Sequence, residues 1–153
     1  MQIEETIIFK SIIGNILVSS YKNKIEKINT TSKKIHNSNN NLLINAREEI
    51  TEYLSKNRKL FSIPIYLKGT NFQKKVWNEI LKTPYGTTTT YLKISNILKS
   101  SPRAVGQACG KNPILLIIPC HRVISSNSRL TGFSAIGGIK TKKSLLSIEN
   151  IKI

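Results

Sequence analysis

The sequence predicts an α+β fold in which a small antiparallel sheet with one helix precedes a mostly helical second part. The first 28 residues alternate β-prone runs with turn residues, as a meander does. After Gly69, helix-capping signals and apolar residues at helical spacing dominate. A chain of 153 residues with 39% apolar residues is long enough for two small domains packed together. We therefore expect one domain over residues 1–68 and a second over residues 69–153.

The first domain is predicted to hold three strands, a polar loop, a helix and one further strand. These elements are expected at residues 6–9, 16–20, 25–28, 29–41, 43–55 and 61–67, in that order. The helix is indicated by apolar residues that recur at helical spacing between Leu43 and Leu54. The loop is polar and low in complexity, so we expect His36 within it to be exposed and to carry no chemistry.

The second domain begins with a capping-box pattern, in which Thr70 precedes Gln73 by three residues. This pattern predicts a helix that starts after Thr70 and ends near Pro84. Its apolar positions include Trp77, which we interpret as a core residue rather than part of a site.

Two short helical patterns follow, at residues 90–99 and 102–109, with the spacing of a helix-turn-helix. Ser101 is placed as N-cap and Pro102 at the first helical position. The second helix has small residues on much of its surface and one cation, Arg103, at its N-terminal end. Such a surface allows close approach either to a neighbouring helix or to a DNA phosphate strand. Together with the charge of the chain, Arg103 favours DNA.

The chain carries 24 Lys and Arg against 8 Asp and Glu, a formal net charge of +16. A field of this sign attracts polyanions, and nucleic acid is the leading candidate. Compositional bias towards Lys, Ile and Asn is the alternative, but it does not account for so few carboxylates. The sequence contains no apolar run long enough for a membrane span and no signal-peptide pattern. We therefore expect a cytoplasmic protein with no membrane partner.

The motif PCHRV, residues 119–123, follows the apolar run 114–118, which is predicted to be a buried strand. A thiolate at Cys120 would be stabilised by the neighbouring His121 and Arg122. His121 needs an orienting acceptor, and Glu149, in a helical pattern over residues 142–150, is the best-placed acidic candidate. Adjacent Cys and His are a weak signal, so a buried structural cysteine remains the alternative.

The chain has only two cysteines, Cys109 and Cys120, and two histidines. Two thiols are too few for a disulfide framework, and the spacing does not fit a four-ligand zinc site. We expect free thiols, no metal and no cofactor.

The residues from Gly69 to Glu149 resemble the methylated-DNA–protein-cysteine methyltransferases, also called O6-alkylguanine-DNA alkyltransferases. The resemblance is carried by GTNFQKKVWNEILKTPYGTTTTYLKIS and by PRAVGQACGKNPILLIIPCHRVISSNSRLTGFSAIGG, and it covers a little over half of the chain. It implies a ribonuclease-H-like first domain and a second domain with a winged helix or helix-turn-helix. It also implies a single-turnover repair protein that moves the alkyl group from O6-alkylguanine in double-stranded DNA to Cys120. O4-methylthymine is a further candidate substrate, and a monomer is expected.

The resemblance also implies catalytic roles for individual residues. His121 resembles the base that deprotonates Cys120 through a water, and Glu149 the residue that orients His121. Asn112 matches a hinge asparagine between the recognition helix and the active-site loop. Tyr91 matches the tyrosine that assists the leaving guanine at N3.

Further implied roles concern the base and the DNA. The base pocket would comprise Val123, whose carbonyl accepts from the exocyclic amine, together with Phe133 and Ser134, the latter as donor to O6. Arg103 matches the finger that fills the space of the flipped base. Small residues such as Ala104 and Gly106 would let the recognition helix enter the minor groove.

Three departures from the family pattern and three alternatives remain. Phe133 stands where many members have tyrosine, the segment after it is longer than in the shortest members, and the zinc ligands of some members are missing.

A lesion-binding protein without transfer is disfavoured because Cys120 is present. A regulator of the adaptive-response type would need an added methyl-sensing domain. A cysteine hydrolase would turn over repeatedly.

Overall fold

A computed structural model of the chain describes residues 5–153, which divide into two compact units. The first unit extends to Lys68 and also includes Pro113–Leu115. The second comprises Gly69–Asn112 and Leu116–Ile153. The short segment Pro113–Leu115 therefore differs from the prediction, which assigned it to the second domain. Backbone pairing explains the difference: Ile28 N–H donates to the Pro113 carbonyl, and Leu115 N–H donates to the Ile28 carbonyl.

The first unit is an antiparallel meander with one helix, as the sequence predicts. Its strands are β1 (Glu5–Phe9), β2 (Ile16–Tyr21) and β3 (Lys24–Thr30), paired in the order β1-β2-β3. Helix α1 (Asn41–Leu54) begins where the Asn40 side chain accepts from Leu43 N–H. This cap satisfies one of the backbone donors that a helix N-terminus leaves open.

The strand predicted at residues 61–67 is wrong, because the segment forms only one isolated bridge to Ile25. Pro64 has no N–H to contribute to a ladder. The N–H of Ser62 donates instead to the Glu49 carboxylate at 2.8 Å. Neither residue can therefore continue regular strand pairing. His36 is exposed as expected, although its backbone pairs with that of Ile8.

The second unit is mostly helical. Its helices are α2 (Asn71–Leu81), α3 (Tyr91–Leu98), α4 (Pro102–Gly110) and α5 (Ile139–Ile148), and its two short strands β4 (Thr89–Thr90) and β5 (Val123–Ile124) pair in parallel. The predicted capping box is present, because Thr70 Oγ1 accepts from Gln73 N–H and Gln73 Oε1 accepts from Thr70 N–H. Ser101 caps α4 as predicted, accepting from Ala104 N–H.

The buried strand predicted at residues 114–118 is also wrong. Only Ile114 forms a bridge, and Leu116 has a φ of +74°, a left-handed conformation that interrupts an extended chain. The segment is still apolar and buried, with Ile118 fully inaccessible to solvent.

Trp77 is a core residue of the second unit, as predicted. Its ring is 1% exposed, and its indole Nε1 donates to the Ala108 carbonyl at 2.9 Å. This bond ties α2 to α4 and gives the buried indole its partner. The α+β class is confirmed. In residues 5–153, every helix is too short or too polar to cross a membrane.

Candidate active site

Cys120 begins a short 3₁₀ turn (Cys120–Arg122) and is buried, with 4% of its surface exposed. Asn112, just beyond α4, donates from Nδ2 to the Cys120 Sγ at 3.1 Å and to the Ile118 carbonyl at 2.8 Å. One amide therefore fixes both the thiol and the loop that carries it. Sequence analysis assigned Asn112 a position between the recognition helix and this loop, and the structure brings it to Cys120.

The Cys120 thiol lies beside the only other cysteine of the chain. A hydrogen bond with the Cys109 side chain is the main cause that raises the pKa of Cys120 well above its usual value, and burial raises it further. The Asn112 hydrogen bond and the positive charge of Lys142 lower this pKa and oppose the increase in part. The resting site therefore holds Cys120 as a thiol.

His121 and Glu149 meet as the sequence predicts. The distance from His121 Nε2 to Glu149 Oε2 is 2.7 Å, and both side chains are inaccessible to solvent. Burial lowers the pKa of His121, and the hydrogen bond to Glu149 opposes that shift in part. Because an ionised carboxylate only accepts, Nε2 carries the hydrogen and Nδ1 has the lone pair. His121 is therefore held as a neutral base.

Arg122 differs from its predicted role beside the thiolate, because its guanidinium binds Glu149. Its Nε donates to Oε1 at 2.8 Å and its Nη2 to Oε2 at 3.0 Å, while Nη1 donates to the Thr83 carbonyl at 2.8 Å. The N–H of Gly86 also donates to Glu149 Oε1, at 3.0 Å. These donors hold the carboxylate in position for His121. Sequence reasoning missed them, although Arg122 stands next to His121 in the motif.

A cavity of about 250 Å³ opens beside the Cys120 thiol. It is lined by Tyr91, Gly106, Cys109, Gly110, Cys120, Gly132, Phe133 and Ser134. Four of the predicted site residues besides Cys120 thus share one cavity with it. Tyr91 is positioned by a hydrogen bond of 2.8 Å between its hydroxyl and Thr131 Oγ1. Burial raises the pKa of Tyr91, so its hydroxyl keeps its proton.

Val123 is buried and does not line this cavity, but its carbonyl accepts from Lys142 Nζ at 2.7 Å. The Lys142 side chain is buried in α5, and its Nζ lies 5.8 Å from the centre of the Tyr91 ring. Burial lowers the pKa of Lys142. Sequence reasoning missed this lysine. The signal was available, because Lys142 precedes Leu145 and Leu146 at the spacing of a buried helix face.

The predicted DNA-contacting residues of α4 lie at its surface. Arg103 is exposed and Ala104 half-buried, while Val105 and Ala108 pack into the unit. Arg103 does not line the cavity beside Cys120. Helix α4 therefore has one face packed inside the unit and one open face, and DNA contact by the open face stays a prediction. Across residues 5–153, no three His, Cys, Asp or Glu side chains are grouped to hold a metal ion.

Comparisons with known proteins agree on one family. Residues 71–151 match the sequence profile of the "6-O-methylguanine DNA methyltransferase, DNA binding domain" family. The inducible methylated-DNA–protein-cysteine methyltransferase of Bacillus subtilis is 47% identical over 66% of the chain, and the chain spans 56% of that relative, little more than half. The methylated-DNA–protein-cysteine methyltransferase of Methanosarcina acetivorans is 36% identical over 93% of the chain and 96% of its own length.

A solved structure is also similar. Mycobacterium tuberculosis OGT in complex with DNA superposes with a TM-score of 0.83 at 31% identity, over 93% of this chain and 90% of that one. Since the profile matches more than half of the chain and the M. acetivorans protein is similar along nearly all of it, the chain belongs to the methylated-DNA–protein-cysteine methyltransferase family.

Proposed function

We propose that this chain is a DNA repair protein that transfers the alkyl group from O6-alkylguanine in duplex DNA irreversibly to Cys120. Such an enzyme is a methylated-DNA–[protein]-cysteine S-methyltransferase that acts once per molecule, with O4-methylthymine as a further candidate substrate. The observation that carries the proposal is the Cys120 thiol lining a cavity with Tyr91 and Ser134 while Asn112 donates to its sulfur. Relatives named for this activity support it.

The nucleophile is prepared by proton transfer from Cys120 to His121 through a bound water. Neutral His121, with Nε2 engaged by Glu149, takes the proton at Nδ1. The developing imidazolium is stabilised by the Glu149 carboxylate, which Arg122 keeps in place. The thiolate then attacks the alkyl carbon in a displacement reaction: the S–C bond forms and the bond from carbon to guanine O6 breaks. A thioether has no further leaving group, so the protein is consumed.

Guanine leaves most easily as a neutral base. In the proposed mechanism Tyr91, which keeps its proton because burial raises its pKa, supplies a proton or hydrogen bond at N3. Ser134 donates to O6, and Phe133 contacts the base. The exocyclic amine donates to backbone carbonyls near Cys120 and Val123. The Val123 carbonyl also accepts from Lys142.

The proposal extends to DNA. Helices α3 and α4 act as a helix-turn-helix of winged-helix type, with Ala104 and Gly106 on the recognition helix facing the minor groove. Arg103 enters the base stack and fills the space of the flipped guanine, because base extrusion costs a few kcal/mol that a plug offsets. Support comes from the exposure of Arg103 at the start of α4 and from the DNA-bound M. tuberculosis structure.

The finer architecture and setting are part of the same proposal. The meander with α1 is a ribonuclease-H-like domain spanning residues 1–68, and residues 69–153, apart from Pro113–Leu115, form the DNA-binding and alkyl-acceptor domain. The chain acts as a cytoplasmic monomer without a cofactor. Its two thiols are free, which fits a reducing compartment.

Intact mass spectrometry after incubation with a duplex that carries one O6-methylguanine tests the proposal. We expect each active chain to gain one methyl group, located on Cys120 by peptide mapping, with no further turnover. Cys120→Ala should bind the duplex and gain no mass. Binding without any mass gain in the wild-type protein would instead identify a lesion-binding protein, and repeated turnover would identify a hydrolase.

A further inference from the structure

The cavity beside the active thiol contains two cysteines. Cys109 lies in the last turn of α4 and Cys120 in the 3₁₀ turn, and both line the same space of about 250 Å³. Both are buried and neither forms a disulfide. The proposed transfer uses Cys120 alone, so it gives the second thiol no role.

The two thiols share one small space, because Cys109 and Cys120 both line the cavity of about 250 Å³. Lys142, buried in α5, is a cation in this unit that favours the ionised form of Cys120 and so lowers its pKa. Asn112 constrains the pair from two sides, since its Nδ2 donates to Cys120 Sγ and its N–H donates to the Cys109 carbonyl at 3.1 Å. The pair is therefore preorganised by the fold rather than brought together by a moving segment.

We propose that Cys109 and Cys120 form a dithiol site that binds one trivalent organoarsenical and thereby blocks the alkyl acceptor. For an arsenical of the type R–As=O, two S–As bonds form and the arsenic–oxygen bond breaks. Both thiol protons leave with the oxygen as one water molecule. Arsenic stays trivalent, so no oxidant or reductant takes part. Binding needs neither DNA nor alkyl transfer, and it goes beyond the proposed repair function.

The chemistry of the site favours this ligand over a structural metal ion. A zinc site takes four protein ligands, whereas the cavity offers two sulfurs and the Nε2 of the nearby His121 is bound to Glu149. A trivalent organoarsenical is satisfied by two thiols and its own carbon substituent. After the first S–As bond forms, the second closes within the molecule at a high effective concentration. Preorganisation of the pair lowers the entropic cost of that closure.

Phenylarsine oxide added to the full-length protein tests the proposal. We expect one arsenical per chain by intact mass, and the loss of two titratable thiols per bound arsenic after denaturation. A monothiol such as 2-mercaptoethanol should leave the adduct in place, while 2,3-dimercaptopropanol should remove it. Wild-type protein that loses one thiol per arsenic, or that binds no arsenical, would overturn the proposal.

Two variants separate the paired site from a single reactive thiol. Cys109→Ser keeps a hydrogen-bonding group of similar size, and Cys109→Ala removes it. In both variants, we expect the amount of arsenical that stays bound during 2-mercaptoethanol treatment to fall about a hundredfold, because two-thiol chelation is lost. Retention equal to that of the wild-type protein would contradict the dithiol site.

Repair assays provide an independent readout. The arsenical-treated wild-type protein should lose methyl transfer, and 2,3-dimercaptopropanol should restore it. A two-thiol adduct in a protein that never transfers methyl would support the dithiol site and refute the proposed function. Full methyl transfer by protein in which both thiols are bound to arsenic would overturn the claim that the adduct blocks the acceptor.

Discussion

Glu149 receives four hydrogen bonds at a position where a carboxylate is electrostatically disfavoured. It caps the C-terminal end of α5, where the helix dipole repels negative charge. Two donors from Arg122, one from His121 and one from the Gly86 backbone compensate for this cost. The same contacts define the tautomer of His121. A single residue therefore connects the stability of the second unit with the basicity of the active site.

We expect Glu149→Gln to lower the free energy of unfolding by about 3 kcal/mol, because it leaves the buried Arg122 without its counter-charge. Urea unfolding measures the effect. Glu79→Gln is the control: the side chain of its partner Lys82 is 71% exposed, although that of Glu79 is 17% exposed, and loss of this pair should cost less than about 1 kcal/mol. Equal losses in the two variants would contradict a structural role for the buried pair.

Cys109 influences the chemistry of Cys120 even without arsenic. Its hydrogen bond is the main cause that raises the pKa of Cys120, so Cys109→Ala should lower that pKa. The thiolate is the nucleophile and prevails above the pKa, so the rate–pH profile of single-turnover transfer should move to lower pH. Near neutral pH, transfer should be no slower than in the wild-type protein. Quenched single-turnover reactions over a series of pH values measure the profile. A shift of the profile to higher pH in Cys109→Ala would refute this account.

At the scale of elements, local sequence signals predicted the helices correctly. Two predicted strands are not formed, because strand pairing depends on contacts with residues distant in sequence. The capping box at Thr70 and the cap at Ser101 lie within four residues of the groups they satisfy, so the sequence contains them entirely. The segments at 61–67 and 114–118 are apolar enough for strands. Whether an apolar segment forms a ladder depends on partners distant in sequence, and here each forms a single bridge.

The same distinction applies to the site. Cys120 and its motif were visible in the sequence, and Glu149 was identified by its residue type and position. The sequence did not reveal the contact of Lys142 with the Val123 carbonyl or the bidentate ion pair of Arg122 with Glu149. Both contacts join residues that are distant in sequence. A charged residue at the spacing of a buried helix face is the signal that would have revealed Lys142.

Two glycines, Gly69 just before α2 and Gly106 in the middle of α4, give a test of packing. A Cβ at Gly69 would lie 2.6 Å from the ring of Trp77, which is buried and cannot move away. A Cβ at Gly106 would lie 4.0 Å from the Tyr91 ring, an ordinary contact. We expect Gly69→Ala to destabilise the protein by about 1–3 kcal/mol. Gly106→Ala should be neutral or stabilising by up to about 1 kcal/mol, because alanine favours helix.

Thermal and urea unfolding of both glycine variants measure the difference. If Gly106→Ala keeps its stability but weakens DNA binding, the small residue serves the DNA surface rather than the core. Equal stability of the two variants would contradict the close approach of Gly69 to Trp77.

Arg103 at the start of α4 allows a test of base flipping. We expect Arg103→Ala to slow repair of O6-methylguanine in duplex DNA much more than transfer from free O6-benzylguanine, because only the duplex reaction has to extrude a base. Single-turnover rates on both substrates measure this contrast. Tyr91→Phe is the control, since loss of leaving-group assistance should slow both reactions. Equal loss on both substrates in Arg103→Ala would assign Arg103 to the chemistry or the fold instead.

At the scale of the whole molecule, the net charge of +16 could serve DNA binding or reflect compositional bias. If the charge serves DNA binding, the lysines that contact DNA should lie on the DNA-binding unit. If it reflects compositional bias, lysines on both units should matter equally little. The DNA-binding profile covers only residues 71–151, so the first unit can carry surplus lysines that bind nothing. Lys111 is exposed directly after α4, and Lys10 is exposed directly after β1. Each is one lysine, and neutralising either one changes the net charge equally.

We expect affinity for undamaged duplex DNA to depend weakly on sequence and steeply on salt. Each lysine or arginine that contacts a phosphate releases counterions, so the logarithm of the binding constant falls linearly with the logarithm of salt concentration, by about 0.9 per contact. About four contacts would weaken binding roughly a hundredfold between about 50 and 200 mM salt.

Lys111→Gln should lower the slope by about one unit, while Lys10→Gln should leave it unchanged. Fluorescence anisotropy with a labelled duplex measures both slopes. A flat salt dependence would attribute the charge to composition alone, and equal changes in the two variants would show that the whole chain, not one unit, acts as the polycation.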